Sequence, residues 1–197
     1  MTLRLTTRGR GGATSQEVTY LTRAGNVRAD LVSPVGPVTF LSLATEGKAY
    51  LLMASQKSYM ELPANGVSDD RSAAGMASRG EVTVRKTGRM ETVAGYPCEH
   101  VLVVRGPASG GNAPADSTDV CFTRALGTYV DPMASAVGRT NIPAWQQALL
   151  RDGGFPLKVT LADGTVALEA TRVEKKRVSP AVFGIPSDYG KVPGRRP

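Results

Sequence analysis

The chain reads as mainly β, of the α+β class: a large curled antiparallel sheet or half-barrel with one or two short helices covering one face. Three observations predict it. Apolar and polar residues alternate with a period of two along most of the sequence, the mark of half-buried strands. The alternating runs are separated by Gly-, Asn- and Asp-containing turns at hairpin spacing. Helix caps and a three-to-four spacing occur in one late region only.

Glu17 to Thr22 and Val27 to Val32 flank Gly25-Asn26, two residues that tolerate positive φ, and form a hairpin. Val38 to Ala44 and Lys48 to Ala54 flank Glu46-Gly47 in the same way, and Lys57 to Leu62 completes a meander. Asn65 to Gly80 has no apolar repeat and reads as a loop or short helix. Glu81 to Lys86, Met90 to Ala94 and Cys98 to Arg105 are three further strands, punctuated by Thr87-Gly88 and Gly95-Tyr96-Pro97. Gly106 to Ser117 is a Gly- and Ala-rich tip whose composition cannot build a core, and Asp119 to Arg124 returns from it.

Asp131-Pro132 supplies an N-cap and a first-turn proline, and Gly138 a stop, for one short helix. Ile142, Trp145 and Leu149 share a face of a second, over Pro143 to Arg151. Leu157, Val159 and Leu161 alternate into Ala162-Asp163-Gly164, and Val166, Leu168 and Ala170 alternate out, a last hairpin with one buried face. Val182, Phe183, Ile185 and Pro186 close the chain as an apolar anchor. The helices are expected across the single face that such a sheet has to fill.

A chain of 197 residues can bury a full core in one domain. Residues 1–197 are read as that domain, with flexible segments at 63–80 and 106–117 and a loose tail at 190–197. No apolar run approaches the ~20 residues of a membrane-spanning helix. Met1-Thr2-Leu3-Arg4 leads into polar residues without an apolar h-region, so the expectation is either a cytoplasmic chain or a mature form with an added Met1.

The net charge of +7 raises polyanions and anionic membrane surfaces as partners. Arg and Lys are scattered among Thr, Gly and Val, with local density only at Lys175-Lys176-Arg177 and Arg195-Arg196. Single-strand readers place aromatic platforms beside their cations, so nucleic acid is not expected as a partner. Phosphate loops, G-x-S-x-G and H-E-x-x-H are absent from the sequence. Asp69-Asp70 are adjacent in a loop and read as a solvated turn, and Gly9-Arg10-Gly11-Gly12 as a hairpin tip or frayed terminus.

The order VAGYPC, VCFTRALG, a short helical insert, GFPLKVTLADG and VFGIPSDYGKV resembles an exported bacterial family known only as a domain of unknown function, the DUF4412 type. The likeness covers most of Thr87 to Val192. Residues 1–62, through GNVRADL and GKAYLLMASQKSYMEL, are more loosely similar to lipoprotein carriers of the LolA and LolB type. That wider resemblance implies an unclosed half-barrel with a helical lid over an apolar concave face. The chain departs from the carriers in lacking their long N-terminal helix and in its 6% aromatic content.

Cys98 and Cys121, the two cysteines, fall on consecutive antiparallel strands. The resemblance to exported proteins favours a disulfide between them, which would stabilise by about 3 kcal/mol in the chain-entropy model and imply an oxidising compartment. Two buried free thiols are the alternative. His100, the one histidine, shares the strand face of Cys98, so Cys98, His100 and Cys121 form an outside candidate for a three-ligand zinc site, although no metal is expected. The same residues could serve as a thiol nucleophile and base, but no Asn or Asp orienter is evident.

Met53, Met60, Met76, Met90 and Met133 can line an adaptable cavity or fill a core. Met53 and Met60, with Trp145 and Leu149 on the lid, are taken as ligand-contacting residues. The expected function is therefore that of a non-enzymatic exported protein, periplasmic or outer-membrane-associated. It would carry a lipid or lipoprotein acyl chain on the concave face, without cofactor or catalytic residue. The alternative is a cell-envelope module docking through a basic surface on anionic membrane or a partner protein.

Overall fold

The computed structural model describes residues 1–9, 12–33, 36–62, 81–106, 116–131, 143–146, 148 and 153–192. Eleven strands follow one another as β1 (Thr2–Gly9), β2 (Gly12–Arg23), β3 (Asn26–Ser33), β4 (Gly36–Leu43), β5 (Lys48–Met53), β6 (Ser58–Leu62), β7 (Val82–Val93), β8 (Tyr96–Arg105), β9 (Asp116–Thr123), β10 (Phe155–Leu161) and β11 (Val166–Arg172), before a two-residue β12 (Gly190–Lys191). They form one unclosed sheet in the order β12-β6-β5-β4-β3-β2-β1-β11-β10-β9-β8-β7. Every pair is antiparallel except β12 with β6. The mainly β, half-barrel class expected from the alternation is the class observed.

β1 is an element that the alternation did not reveal. Only Leu3 and Leu5 alternate among its threonines and arginines, yet Leu3 is almost fully buried. β1 pairs with β2 along its whole length and with β11, Leu5 standing opposite Leu168. The N-terminal hairpin meander and the C-terminal strands thereby become one sheet.

The turns also sit one residue earlier than expected. Ala24 and Gly25 have φ of 50° and 82°, and Ala94 and Gly95 have 49° and 83°, while Arg23 pairs Asn26 and Val93 pairs Tyr96. Both are two-residue hairpin loops with positive φ at each central position, the twist that matches flanking strands. Residues 81–94, expected as two strands, are one, bent at a register shift between Lys86 and Met90. The tail expected to be loose from residue 190 begins instead with Gly190–Lys191 paired to Ser58 and Tyr59.

Both faces of the sheet carry a core, where the sequence suggested one. On the inner face a continuous cluster runs through Leu3, Val18, Tyr20, Ala29, Phe40, Val103, Val120, Leu157 and Val159. On the outer face of β4 to β6, Leu41, Tyr50 and Leu52 are covered by Ile185 and Tyr189. The C-terminal segment is strapped there by Arg28, which donates from Nη1 to the Val182 carbonyl at 2.9 Å, with Phe183 buried beside it.

Above the inner face, residues 144–146 and 148 are helical, within the second expected helix. The first lies outside the described residues from Pro132 onward, as do Leu149, Met76, Met133, Asp69-Asp70 and Arg195-Arg196. Trp145 is buried against Tyr129 (6.1 Å between ring centroids), and Tyr129 packs on Tyr20 and Phe155 at 5.9 and 5.3 Å. Burial raises the pKa of both tyrosines, keeping their hydroxyls neutral. The Tyr20 hydroxyl donates to the Val130 carbonyl (3.3 Å) and accepts the Val130 N–H (3.1 Å). Tyr20→Phe keeps the ring but strands both backbone groups, so an unfolding free energy lower by about 2 kcal/mol is expected in urea titration. An unchanged midpoint would show that this bridge does not hold the segment over the sheet.

Candidate functional site

Four neighbouring strands, β7 to β10, place five charged or ionisable side chains on the outer face. In β8 and β9 the pattern Cys98-x-His100 runs antiparallel to Asp119-x-Cys121, with His100 directly opposite Cys121. Glu91 of β7 stands opposite Cys98, and Lys158 of β10 opposite Cys121. Opposed residues of an antiparallel pair share a face, so the register alone brings Glu91, Cys98, His100, Asp119, Cys121 and Lys158 together.

Arg89 joins them through the irregularity in β7. The Thr87 hydroxyl donates to the His100 carbonyl at 2.7 Å and accepts the Arg89 N–H at 3.2 Å, fixing a bulge in the edge strand. Bulges re-aim side chains in this way and blunt an exposed edge. Arg89 turns back to pair with Asp119 and to reach His100 Nδ1 at 2.6 Å.

Cys98 and Cys121 are joined in a disulfide with Cα atoms 5.3 Å apart, and neither is accessible to solvent. His100, equally buried, presents Nδ1 to Asp119 Oδ1 at 2.7 Å and Nε2 to Glu91 Oε2 at 3.0 Å. The second Glu91 oxygen accepts from Lys158 Nζ at 2.9 Å. The hydrogen bond from Lys158 is the main cause holding the Glu91 carboxyl below the usual carboxylate range; burial opposes it as the next largest influence, and the charge of Lys158 and contact with His100 add to the lowering. The cluster opens to an outward-facing hollow of about 490 Å³, floored by Thr160 and Val166 and flanked by the exposed Met90.

Sequence reasoning found Cys98, His100 and Cys121 but missed Arg89, Glu91, Asp119 and Lys158. Asp119 is the orienter of His100 that the sequence did not disclose. Its signal was present in the symmetry of C-x-H against D-x-C across two antiparallel strands, whereas Glu91 and Lys158 have no local signature. As a ligand set the trio Cys98, His100 and Cys121 is corrected, because both sulfurs are consumed in the disulfide. Glu91, His100 and Cys121 also place donor atoms within 4.8 Å of one another, with the Cys121 sulfur likewise held in the disulfide.

The expected ligand-contacting residues lie elsewhere. Met53 and Met60 pack partly buried against the inner core, beside Leu51 on β5; Leu51 and Met60 are direct cross-strand partners. Trp145 belongs to the aromatic stack, so side chains fill the space beneath it.

Because Glu91 titrates lower in the folded chain, its contribution to stability is present above the ordinary carboxylate range and is lost as pH falls through the folded value. Glu91→Gln should therefore shrink the drop in unfolding midpoint between neutral pH and pH about 3. Equal acid sensitivity in the variant would show that the Glu91–Lys158 pair does not set the acid limb.

A family model described as "Domain of unknown function (DUF4412)" matches residues 1–189. No curated protein matches the chain.

Proposed function

The chain belongs to the DUF4412 family, whose description assigns no activity, and from its geometry we propose a non-enzymatic exported protein that holds a hydrophobic ligand, a lipid or lipoprotein acyl chain, on the inner face of its open sheet. The observation that carries this reading is the unequal filling of that face. Toward β1, β10 and β11 it is sealed by Tyr20, Tyr129, Trp145 and Phe155. Toward β5 and β6 it carries Leu51, Met53 and Met60, each only partly buried. Methionine re-packs around ligands of varied shape, and an unclosed sheet leaves a side for an acyl chain to enter. Of the contacts expected from the sequence, Met53, Met60, Trp145 and Leu149, this reading keeps the two methionines as the ligand end and gives Trp145 to the seal.

Export, to the periplasm or the outer membrane, is supported by the Cys98–Cys121 disulfide, since such bonds persist in oxidising compartments. The absence of catalysis is part of the same reading: the thiol that His100 could activate is tied in that bond. One observation favours docking instead, namely β7, the edge strand among the described residues, on which Arg85 and Lys86 are exposed and could meet anionic lipid headgroups.

The deciding experiment is native mass spectrometry of protein expressed to the periplasm, followed by organic extraction, for wild type, Met60→Glu and Arg85→Glu/Lys86→Glu. A carrier retains a lipid-sized adduct that Met60→Glu removes and the double charge reversal leaves in place. A ligand-free wild-type mass overturns the carrier, and an adduct lost only on charge reversal transfers the function to the basic edge.

A further inference from the structure

The bond that occupies Cys121 hides a metal site, and we propose that the chain folded with its cysteines reduced binds one zinc ion through Glu91, His100 and Cys121. His100 Nε2 and Glu91 Oε2 already face each other at 3.0 Å, near the separation that two ligands about 2.1 Å from one zinc ion adopt. Cys121 stands opposite His100 in the register, with its Sγ within 4.8 Å of both donor atoms. Asp119 Oδ1, 2.7 Å from Nδ1, supplies the carboxylate–histidine support that orients a metal-bound imidazole. Three protein ligands and an open hollow leave the fourth tetrahedral position for water.

Charge explains why the thiolate is required. In the oxidised chain Glu91 is paired with Lys158 and Asp119 with Arg89, so the two carboxylates are already balanced and present no net attraction to a dication. Loss of the Cys121 thiol proton as the S–Zn bond forms adds the missing negative charge. Exchange with an external disulfide reverses this. The Cys98 thiol and the zinc-bound Cys121 thiolate then give up two electrons and the one remaining thiol proton; the external disulfide takes both electrons, that proton and a second from solvent to become two thiols, and zinc leaves with one of its three ligands gone. Because both cysteines are buried, that exchange needs the chain to open, and the choice between metal and disulfide is made as it folds.

The test uses cobalt(II) as a spectroscopic probe on the full chain refolded with and without a phosphine reductant, with circular dichroism as a check of folding. Cys98→Ser, which leaves Cys121 free, removes the need for reductant. The expected result is one Co²⁺ per chain, with a sulfur-to-cobalt charge-transfer band, in the reduced wild type and in Cys98→Ser. The oxidised wild type should show none, the band should vanish in Cys121→Ser, and Asp119→Asn should weaken binding by about tenfold or more. No band in the folded Cys98→Ser chain or reduced wild type overturns the proposal. Equal binding by the oxidised chain, or a band that survives Cys121→Ser or His100→Asn, overturns it as well.

Discussion

The pairing of β1 with β11 is the constraint on which the rest of the structure depends. Their residues are about as far apart in the sequence as the chain allows, Arg4 standing opposite Glu169. Without that pairing β1 and β11 would be bare edges, and the sheet would divide into a meander of β1 to β6 and a second group of β7 to β11. Closing so long a loop costs entropy before any contact repays it, although the cost grows only slowly with length. What offsets it is burial of Leu3 between Val18 and Ala170, its cross-strand partners. The Arg4–Glu169 ion pair lies at the surface and contributes little. Tyr20 ties the two groups a second time, its ring edge-on to Phe155 of β10 and its hydroxyl on Val130.

That seam also separates two environments. On its C-terminal side the inner face is closed by aromatic rings, and the outer face gathers charge around His100 and the disulfide. On its N-terminal side the inner face keeps partly open methionines, and the outer face is sealed by the strap that ends in β12. The charged cluster is neutral in sum at its two carboxylate–cation pairs, which is why it can persist around a buried histidine at modest cost, burial of an unpaired charge being far more expensive.

Most of the fold was legible because a period of two, once broken by a turn, admits few other readings. Leu157-x-Val159 and Val166-x-Leu168 needed only alternation, and the disulfide needed only two consecutive strands and the family resemblance. β1 was hidden because its pairing energy comes from register with a strand at the other end of the chain, and two leucines among threonines do not announce that. The outer-face core was hidden for a related reason: Leu41 and Tyr50 point away from the inner face, and only the return of Ile185 and Tyr189 explains them. Three of the site's residues were invisible because bulge geometry and cross-strand register, which set where Arg89, Glu91 and Lys158 meet, are properties of the paired sheet and not of any one segment.

Hydrogen exchange resolved to individual amides tests the seam most directly, because exchange reports the free energy of opening strand by strand. The account predicts that the hydrogen-bonded amides among Leu3 to Leu5 of β1 exchange only through global unfolding, in step with those of β10 and β11. Fast exchange of β1 while β9 and β10 stay protected would contradict it. It would show that the N-terminal strand frays from a sheet whose two groups hold together without it.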